Sequence, residues 1–307
     1  MSGLPDASGT AAVAVPVSLR DRLALRGDRV WLALPAVALT VVFFVVPIIL
    51  MGRISLTEHV SGSAYVKGSW TIEGYRSFLT NKLYLKTFFY TLWVSLLASG
   101  ICLALSYPLA YWMNRAQPRL RVILIFAVIV PLWTNLLVLL YGWLIMLSPR
   151  GVINLWLMDS GLRDTPLRVV YNTSGVIIGL VQITMPYAVL ILAAVLAGQD
   201  ASLVEAARNL GASRSRGFLR VTLPLSMPGI ASAATVVFVW AMGEYATPQL
   251  LGSTQNRFVS QEVSEQMLSA FNWSRAAALA ISLFGLIIVV LMLAQAAARV
   301  AARRRGA

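Results

Sequence analysis

Few side chains in this 307-residue sequence are equipped for chemistry. It holds one cysteine, Cys102, one histidine, His59, and three lysines, Lys67, Lys82 and Lys86. A nucleophile–base–acid triad would have to recruit His59, and no partner pattern lies near it. A lone thiol with a lone histidine makes neither an internal disulfide nor a Cys/His zinc centre. No Gly-x-x-x-x-Gly-Lys-Ser/Thr run occurs, so the chain has no phosphate loop with which to hydrolyse ATP. What remains is one acid in apolar surroundings, Glu244, and one loop of regular spacing, residues 199–230. A charge at the centre of a membrane span costs about 2.5–3.5 kcal/mol, and less near an interface. Counting from Gly229 at ~1.5 Å per residue places Glu244 ~22 Å along its helix, toward the outer third. Two readings offset that cost. One is a pore-lining carboxylate that meets a cationic substrate or gates the outer mouth. The other is a structural glutamate bonded to a neighbouring helix or interfacial water. Trp133, Tyr141, Trp240 and Tyr245 add aromatic faces that suit a cation, or that anchor helices at the interface.

The loop reads QDASLVEAARNLGASRSRGFLRVTLPLSMPGI. Ser202 followed three residues later by Glu205 has the form of a capping box, which predicts a short helix starting at Ser202. Ala206, Ala207 and Leu210 continue it, and Gly211 stands where a left-handed C-cap is wanted. Ser213 is placed to cap a second short helix through Val221, which Leu223-Pro224 would stop before the next span. The small side chains of the first helix allow another protein's surface to come close.

These residues must be positioned by helices in lipid. Hydrophobic residues make up 58% of the chain, charged residues 12%, and the mean hydropathy is +0.76. This excludes a water-soluble globule, a disordered chain and a disulfide scaffold. Charge-free stretches run over 30–52, 87–114, 122–149, 169–199, 221–243 and 276–298. Each exceeds the ~20 residues a helix needs to cross hydrocarbon, and only helices satisfy their own backbone there at this length. The expected fold class is an all-α membrane protein with six transmembrane helices. Its organisation would be a tail over 1–29, the transmembrane domain over 30–298 with a loop at 199–226, and a basic tail over 299–307. Short surface helices are expected around Ile72–Leu83 and Val152–Met158. Prolines 35, 47, 108, 131 and 186 should bend their spans, as ordinary packing kinks or as hinges. The formal charge of +13 reads as cations gathered at membrane ends against anionic lipid, with no basic, aromatic-interleaved segment for nucleic acid. With both termini inside, the inner segments hold 15 Lys+Arg and the longer outer loops ten, so the positive-inside rule favours cytoplasmic termini.

The combined spacing of the loop is Glu205-Ala206-Ala207, three residues, Gly211, nine residues, Val221, one residue, Leu223-Pro224. It resembles the signature of the permease subunits of ABC importers, and its seven fixed positions would recur by chance with a frequency below about 10⁻⁴. The segments WTIEGYRSFLTNKLYLKTFFYTLW (70–93), SYPLAYWM (106–113), PLWTNLLVLLYGWLIML (131–147), MPYAVLILAAVL (185–196) and GEYATPQLLG (243–252) look like the spermidine/putrescine-type permeases, the first permease of the pair. The same branch also serves phosphonate, opine, iron and thiamine importers. The resemblance covers about residues 30–298. It implies a type I importer permease fold in a bacterial cytoplasmic membrane. A second permease chain would complete the pore, and an ATPase dimer below would carry the ATP and Mg. A periplasmic or extracellular solute-binding protein would deliver cargo, and this chain would bind no cofactor of its own. In that frame the loop is the coupling helix. Glu205 would pair with a basic group of the motor, Ala206 and Ala207 would allow close seating, and Gly211 would supply the turn. Leu223 and Pro224 would lead into the fifth span, and Glu244, Tyr245, Trp133 and Tyr141 would line the substrate path. A motor-independent channel or secondary transporter is the rival reading, and it leaves the loop unexplained.

Overall fold

A computed structural model describes residues 19–59 and 69–305, with side chains over 34–59, 69–200 and 202–296. No strand occurs among the described residues. The chain divides into two units, Met1–Met51 and Gly52–Ala307. The first is essentially helix α1, Leu19–Ile54, which starts well before the charge-free stretch; residues 1–18 of the expected tail lie outside the described residues. From Leu34 to Leu50 every α1 side chain is exposed within the chain, as suits a helix solvated by hydrocarbon.

The second unit begins with α2, Glu73–Thr80, and α3, Lys82–Arg115, which meet at Asn81. The Asn81 carboxamide oxygen accepts from Leu83 N (2.9 Å) and opens α3, so the second span starts five residues before its charge-free stretch. The third span is broken. It consists of α4, Pro118–Trp133, and α5, Leu136–Leu147. Sequence reasoning expected Pro131 only to bend this span; the helix instead ends two residues after it and restarts at a cap made by Asn135, whose Oδ1 accepts from Leu137 N at 2.9 Å. Helix α6, Val152–Asp159, folds back on α5 through the turn at Ser148–Gly151, the expected short surface helix. The apolar stretch Leu136–Asp159 is therefore two helices with a reversal between them.

The fourth span is α7, Thr173–Ala197, followed by α8, Ala201–Asn209, and α9, Arg214–Gly217. A π-helical turn, Phe218–Thr222, joins α9 to the fifth span, α10, Leu223–Gly243. Then come α11, Ala246–Leu251, α12, Val259–Leu268, and the sixth span within α13, Trp273–Arg305. Among the described residues six stretches are long and apolar enough to cross a membrane by length and composition, with the reversed pair α5–α6 counted as one of them. Helices α11 and α12 were not foreseen, since α12 carries too few apolar residues to register as a hydropathy signal.

The core lies where α3, α7 and α10 meet. Val94, Ala98 and Cys102 of α3 pack with Val176, Leu180 and Ala188 of α7 and with Ala233 and Val237 of α10. In lipid there is little hydrophobic gain between helices, so close packing of small residues and interhelical hydrogen bonds carry association. Both are present. A Cβ on Gly229 would stand 2.7 Å from both methyls of Val195, and one on Gly179 2.6 Å from the Thr247 methyl. Tyr107 shares a hydrogen bond with Ser226 (2.8 Å), and Asn114 Nδ2 donates to the Ala193 carbonyl (2.9 Å). Three buried hydroxyls satisfy themselves one turn back: Thr91 on Thr87, Ser99 on Ser95, Thr184 on Leu180.

Gly229→Leu should force α7 and α10 apart and cost about 1–3 kcal/mol, as overpacking does. Gly285→Leu, which meets no atom within 4 Å, should leave stability unchanged. Thermal unfolding of the two variants in the same detergent reads the difference.

Candidate coupling loop and substrate path

The loop after α7 is built by caps. Asp200 Oδ1 accepts from Ser202 N (2.9 Å), so Asp200 is the N-cap of α8 and the helix starts at Ala201. This corrects the expected capping box. Ser202 lies inside the first turn, because the carboxylate two residues earlier reaches its N–H first. That same N–H holds the Asp200 carboxyl below its usual range. At the other end Gly211 adopts φ +84°, the left-handed conformation expected of it. Gly211 N donates to Arg208 O (2.9 Å) and Ala212 N to Ala207 O (3.0 Å), the paired bonds of a Schellman motif. Ser213 Oγ accepts from Arg216 N at 3.4 Å and caps α9, as its position suggested.

Leu223-Pro224 does not end that second helix. Helical backbone continues from Arg214 through Gly243. Proline lacks an N–H, which would break an α-helical ladder. Here the ladder has already changed register, since Leu223 N donates to Phe218 O, five residues back. The π-turn lets the loop run into the fifth span as one rod.

Helix α8 rests on this rod through Val204, which lies 3.9 Å from where a Cβ on Gly217 would stand. Gln199 Nε2 reaches the Thr222 carbonyl at 3.3 Å. The opposite side is bare. Glu205 and Ala206 are exposed, Ala207 is half-buried, and Leu210 at the tip is 89% exposed. Phe218 packs edge-on to Tyr111 (5.0 Å) and Tyr107 (6.0 Å) of α3, and Arg115 lies 3.8 Å over the Tyr111 ring. This aromatic joint escaped the sequence reading, because its members are far apart in sequence and each reads as an ordinary interfacial aromatic.

Glu244 does not lie within a helix. α10 ends at Gly243, and Glu244 follows in extended conformation. Its side chain is buried, and Oε1 accepts from Ala246 N (3.1 Å) and Thr247 N (3.3 Å), which caps α11. Ser260 Oγ donates to its carbonyl at 2.6 Å. Tyr245 beside it lines an outer cavity of about 250 Å³ with Gln249, Gln261, Arg257 and Glu265. Gln261 bonds Gln249 (2.8 Å), and Arg257 stands 3.9 Å from Glu265. Glu244 and Tyr245 are thus brought to the C-terminal end of the fifth span. Trp133, 83% exposed at the end of α4, and Tyr141, 52% exposed on α5, stand on the outside of this chain, apart from that cavity.

Residues 100–304 match the family described as binding-protein-dependent transport system inner membrane component. The spermidine/putrescine transport system permease protein PotB of Escherichia coli (strain K12) is 36% identical over 254 residues, covering 81% of this chain and 91% of that one. The PotB protein of Salmonella typhimurium (strain SL1344) is 35% identical over 254 residues, covering 81% and 88%. Among solved structures, a bacterial alginate ABC transporter in complex with an alginate pentasaccharide-bound periplasmic protein superposes with a TM-score of 0.73 over 90% of this chain and 95% of that one. Its identity is 17%, so it speaks to the fold alone. With the family match spanning two thirds of its length and a helical fold to go with it, the chain belongs to the inner-membrane components of binding-protein-dependent transport systems, the multi-pass permease subunits of ABC importers.

Proposed function

We propose that this permease forms half of a pore for a small aliphatic polyamine of the spermidine/putrescine class, and that a separate ATPase pair drives it through α8. The observation that carries the cargo reading is the 35–36% identity to PotB permeases over 81% of the chain. The reading of the drive rests on α8 itself, a capped helix with one side docked on the fifth span and the other bare. Glu205 would meet a basic group of the motor, Ala206 and Ala207 would let it seat closely, and Gly211 would hold the turn. Leu223 and Pro224 carry the push into α10, and the Tyr107–Tyr111–Phe218 joint passes it to α3. ATP and Mg would be bound by the motor, with this chain contributing no catalytic group. Both termini would face the cytoplasm, because 15 of the 25 Lys+Arg then lie on the inner side.

Along the path, Glu244 is proposed to hold the outer mouth in shape by anchoring α11, with Tyr245 on the wall of the vestibule. Trp133 and Tyr141 would be covered where the second permease closes the pore. A cognate binding protein would select the cargo, so the net charge of +4 on the outer loops, leaving Glu244 aside, need not attract a polycation directly.

The cargo reading is tested by reconstituting the permease with its ATPase and binding protein in proteoliposomes. ATP-dependent uptake of labelled spermidine or putrescine is expected; uptake of an anion in place of either amine would refute it. In the same system Gly211→Pro and Glu205→Lys should each lower uptake about tenfold or more at equal membrane abundance, a coupling loss of ~1.4 kcal/mol. Proline cannot adopt the φ of +84° found at Gly211.

The Asp200 cap supplies a pH test of the loop. Its carboxyl is held below its usual range, so its contribution is full above the ordinary carboxylate value and fades as pH falls through the lowered one. The protection of the Ser202 amide, its exchange rate relative to that of an unstructured amide at the same pH, should be highest near neutral pH and fall on acidification. Asp200→Asn should keep the protection and remove its pH dependence, whereas Asp200→Ala should lose the protection at every pH.

A further inference from the structure

Where α8 and α9 lie beside the end of α3, they line an open-sided cavity of about 300 Å³. Three guanidiniums stand in its wall, one from each helix: Arg115 of α3, Arg208 of α8 and Arg214 of α9. The rest of the wall is Tyr111, Val204, Gly217 and Phe218, so the one other polar side chain is a phenol.

No carboxylate lines this cavity, and the acids close to it are engaged or turned away. Asp200 lies in the wall of an adjoining cavity of about 280 Å³, which shares Arg115 and adds Arg121. Its Oδ1 accepts from Ser202 N at 2.9 Å. Glu205 follows Val204 on α8, is exposed, and stands in neither wall. None of the three arginines is ion-paired among the described residues. Like charges gathered around one small space repel unless an anion sits between them.

Two features make that anion a phosphate at a membrane rather than a carboxylate of the motor. One is direction. Val204 and Arg208 are four residues apart and share one face of α8, the face that rests on the rod. The bare side carries Glu205, Ala206 and Leu210 instead. The other is depth. Arg115 is the last residue of α3, its guanidinium 3.8 Å over the Tyr111 ring, and Phe218 meets the same ring edge-on at 5.0 Å. The cavity thus has an aromatic floor at the point where the second span ends. Trp112 and Leu219, next in the chain to Tyr111 and Phe218, are exposed for acyl chains to lie against. Basic pockets between spanning helices at this level bind lipid headgroups. The planar fork of arginine suits phosphate oxygens, and the volume far exceeds the ~30 Å³ share of a single water.

We propose that this cavity binds a phosphate group, that of an anionic phospholipid headgroup, with Arg115, Arg208 and Arg214 donating to its oxygens. A headgroup held there ties α8 and α9 to the second span, across the joint that Phe218 makes with Tyr107 and Tyr111. The site is independent of which cargo is carried.

The test uses the purified permease–ATPase complex in detergent, with native mass spectrometry counting bound lipid. Phosphatidylglycerol is titrated beside phosphatidylcholine, which carries the same phosphate with its charge offset by choline. The wild type should hold phosphatidylglycerol several-fold more tightly, and millimolar inorganic phosphate should displace it. Arg115→Gln, Arg208→Gln and Arg214→Gln should each weaken it about fivefold. Arg119→Gln, which removes the same charge from α4 outside both walls, should leave it unchanged. An equal loss in Arg119→Gln overturns the site in favour of diffuse surface charge. Displaceable phosphate with no preference between the lipids overturns the headgroup and assigns the site to a soluble anion. Loss of the ATPase from Arg208→Gln and Arg214→Gln, with lipid binding unchanged, overturns the proposal and gives these arginines to the motor. Should Arg115→Gln fail to assemble, Arg208→Gln and Arg214→Gln, both exposed, decide in the same way.

Discussion

A peptide group without a partner in hydrocarbon costs several kcal/mol, so a spanning chain bends only where a side chain takes over the freed backbone. This sequence places such a side chain at three consequential breaks. Asn135 receives Leu137 N where the third span parts, Glu244 receives Ala246 N and Thr247 N where the fifth span turns back, and Asp200 receives Ser202 N where the fourth gives way to α8. In the first and last an Asx oxygen accepts from the residue two places on. The second of these breaks lies beside the cavity that Tyr245 lines, and the third opens the loop proposed to couple the chain to its motor.

Between the breaks the structure is stiff. Gly179 and Gly229 let α7 lie against α11 and α10 at distances that a single extra carbon would violate, and Tyr107, Asn114 and Ser226 tie α3 to its neighbours. A displacement of α8 therefore acts on a packed block of helices. Val204 and Gly217 seat α8 on the rod that becomes α10, and Phe218 at the π-turn touches Tyr107 and Tyr111 of α3. On the proposed coupling, a motor that displaced α8 would move the fifth and second spans together, as rigid-body rocking requires.

Legibility in the sequence followed the strength of the local signal. Charge-free stretches located the six spans because hydrocarbon tolerates so few ionised groups, and Gly211 was readable because few residues other than glycine adopt φ +84° easily. Competing local signals misled. Ser202 with Glu205 matches a capping box, yet Asp200 lies upstream and wins the N–H. Leu223-Pro224 looks like a stop, yet a π-turn upstream absorbs the missing donor. Asn135 within PLWTNLLVLL gave only a proline and two adjacent polar residues in an apolar run, which hydropathy averages away. The Gln182 oxygen without a partner among the described residues and the Tyr187 ring against Trp240 were not legible, since only tertiary packing brings either about.

The placement of the charge at Glu244 bears on how a cationic cargo would pass. A free carboxylate 4 Å from an ammonium in surroundings of effective dielectric ~20 attracts it by about 4 kcal/mol. That is about three decades of slower release, a trap within a pathway. Glu244 avoids this by position and by engagement. It stands just beyond the C-terminal end of the fifth span, with Oε1 already accepting two backbone donors. On the proposed function, a pathway whose carboxylate is already engaged by backbone donors would hold a cation loosely. A pore built this way cannot select strongly. It needs selection to have occurred before entry, and this chain belongs to a family of inner-membrane components that depend on a binding protein.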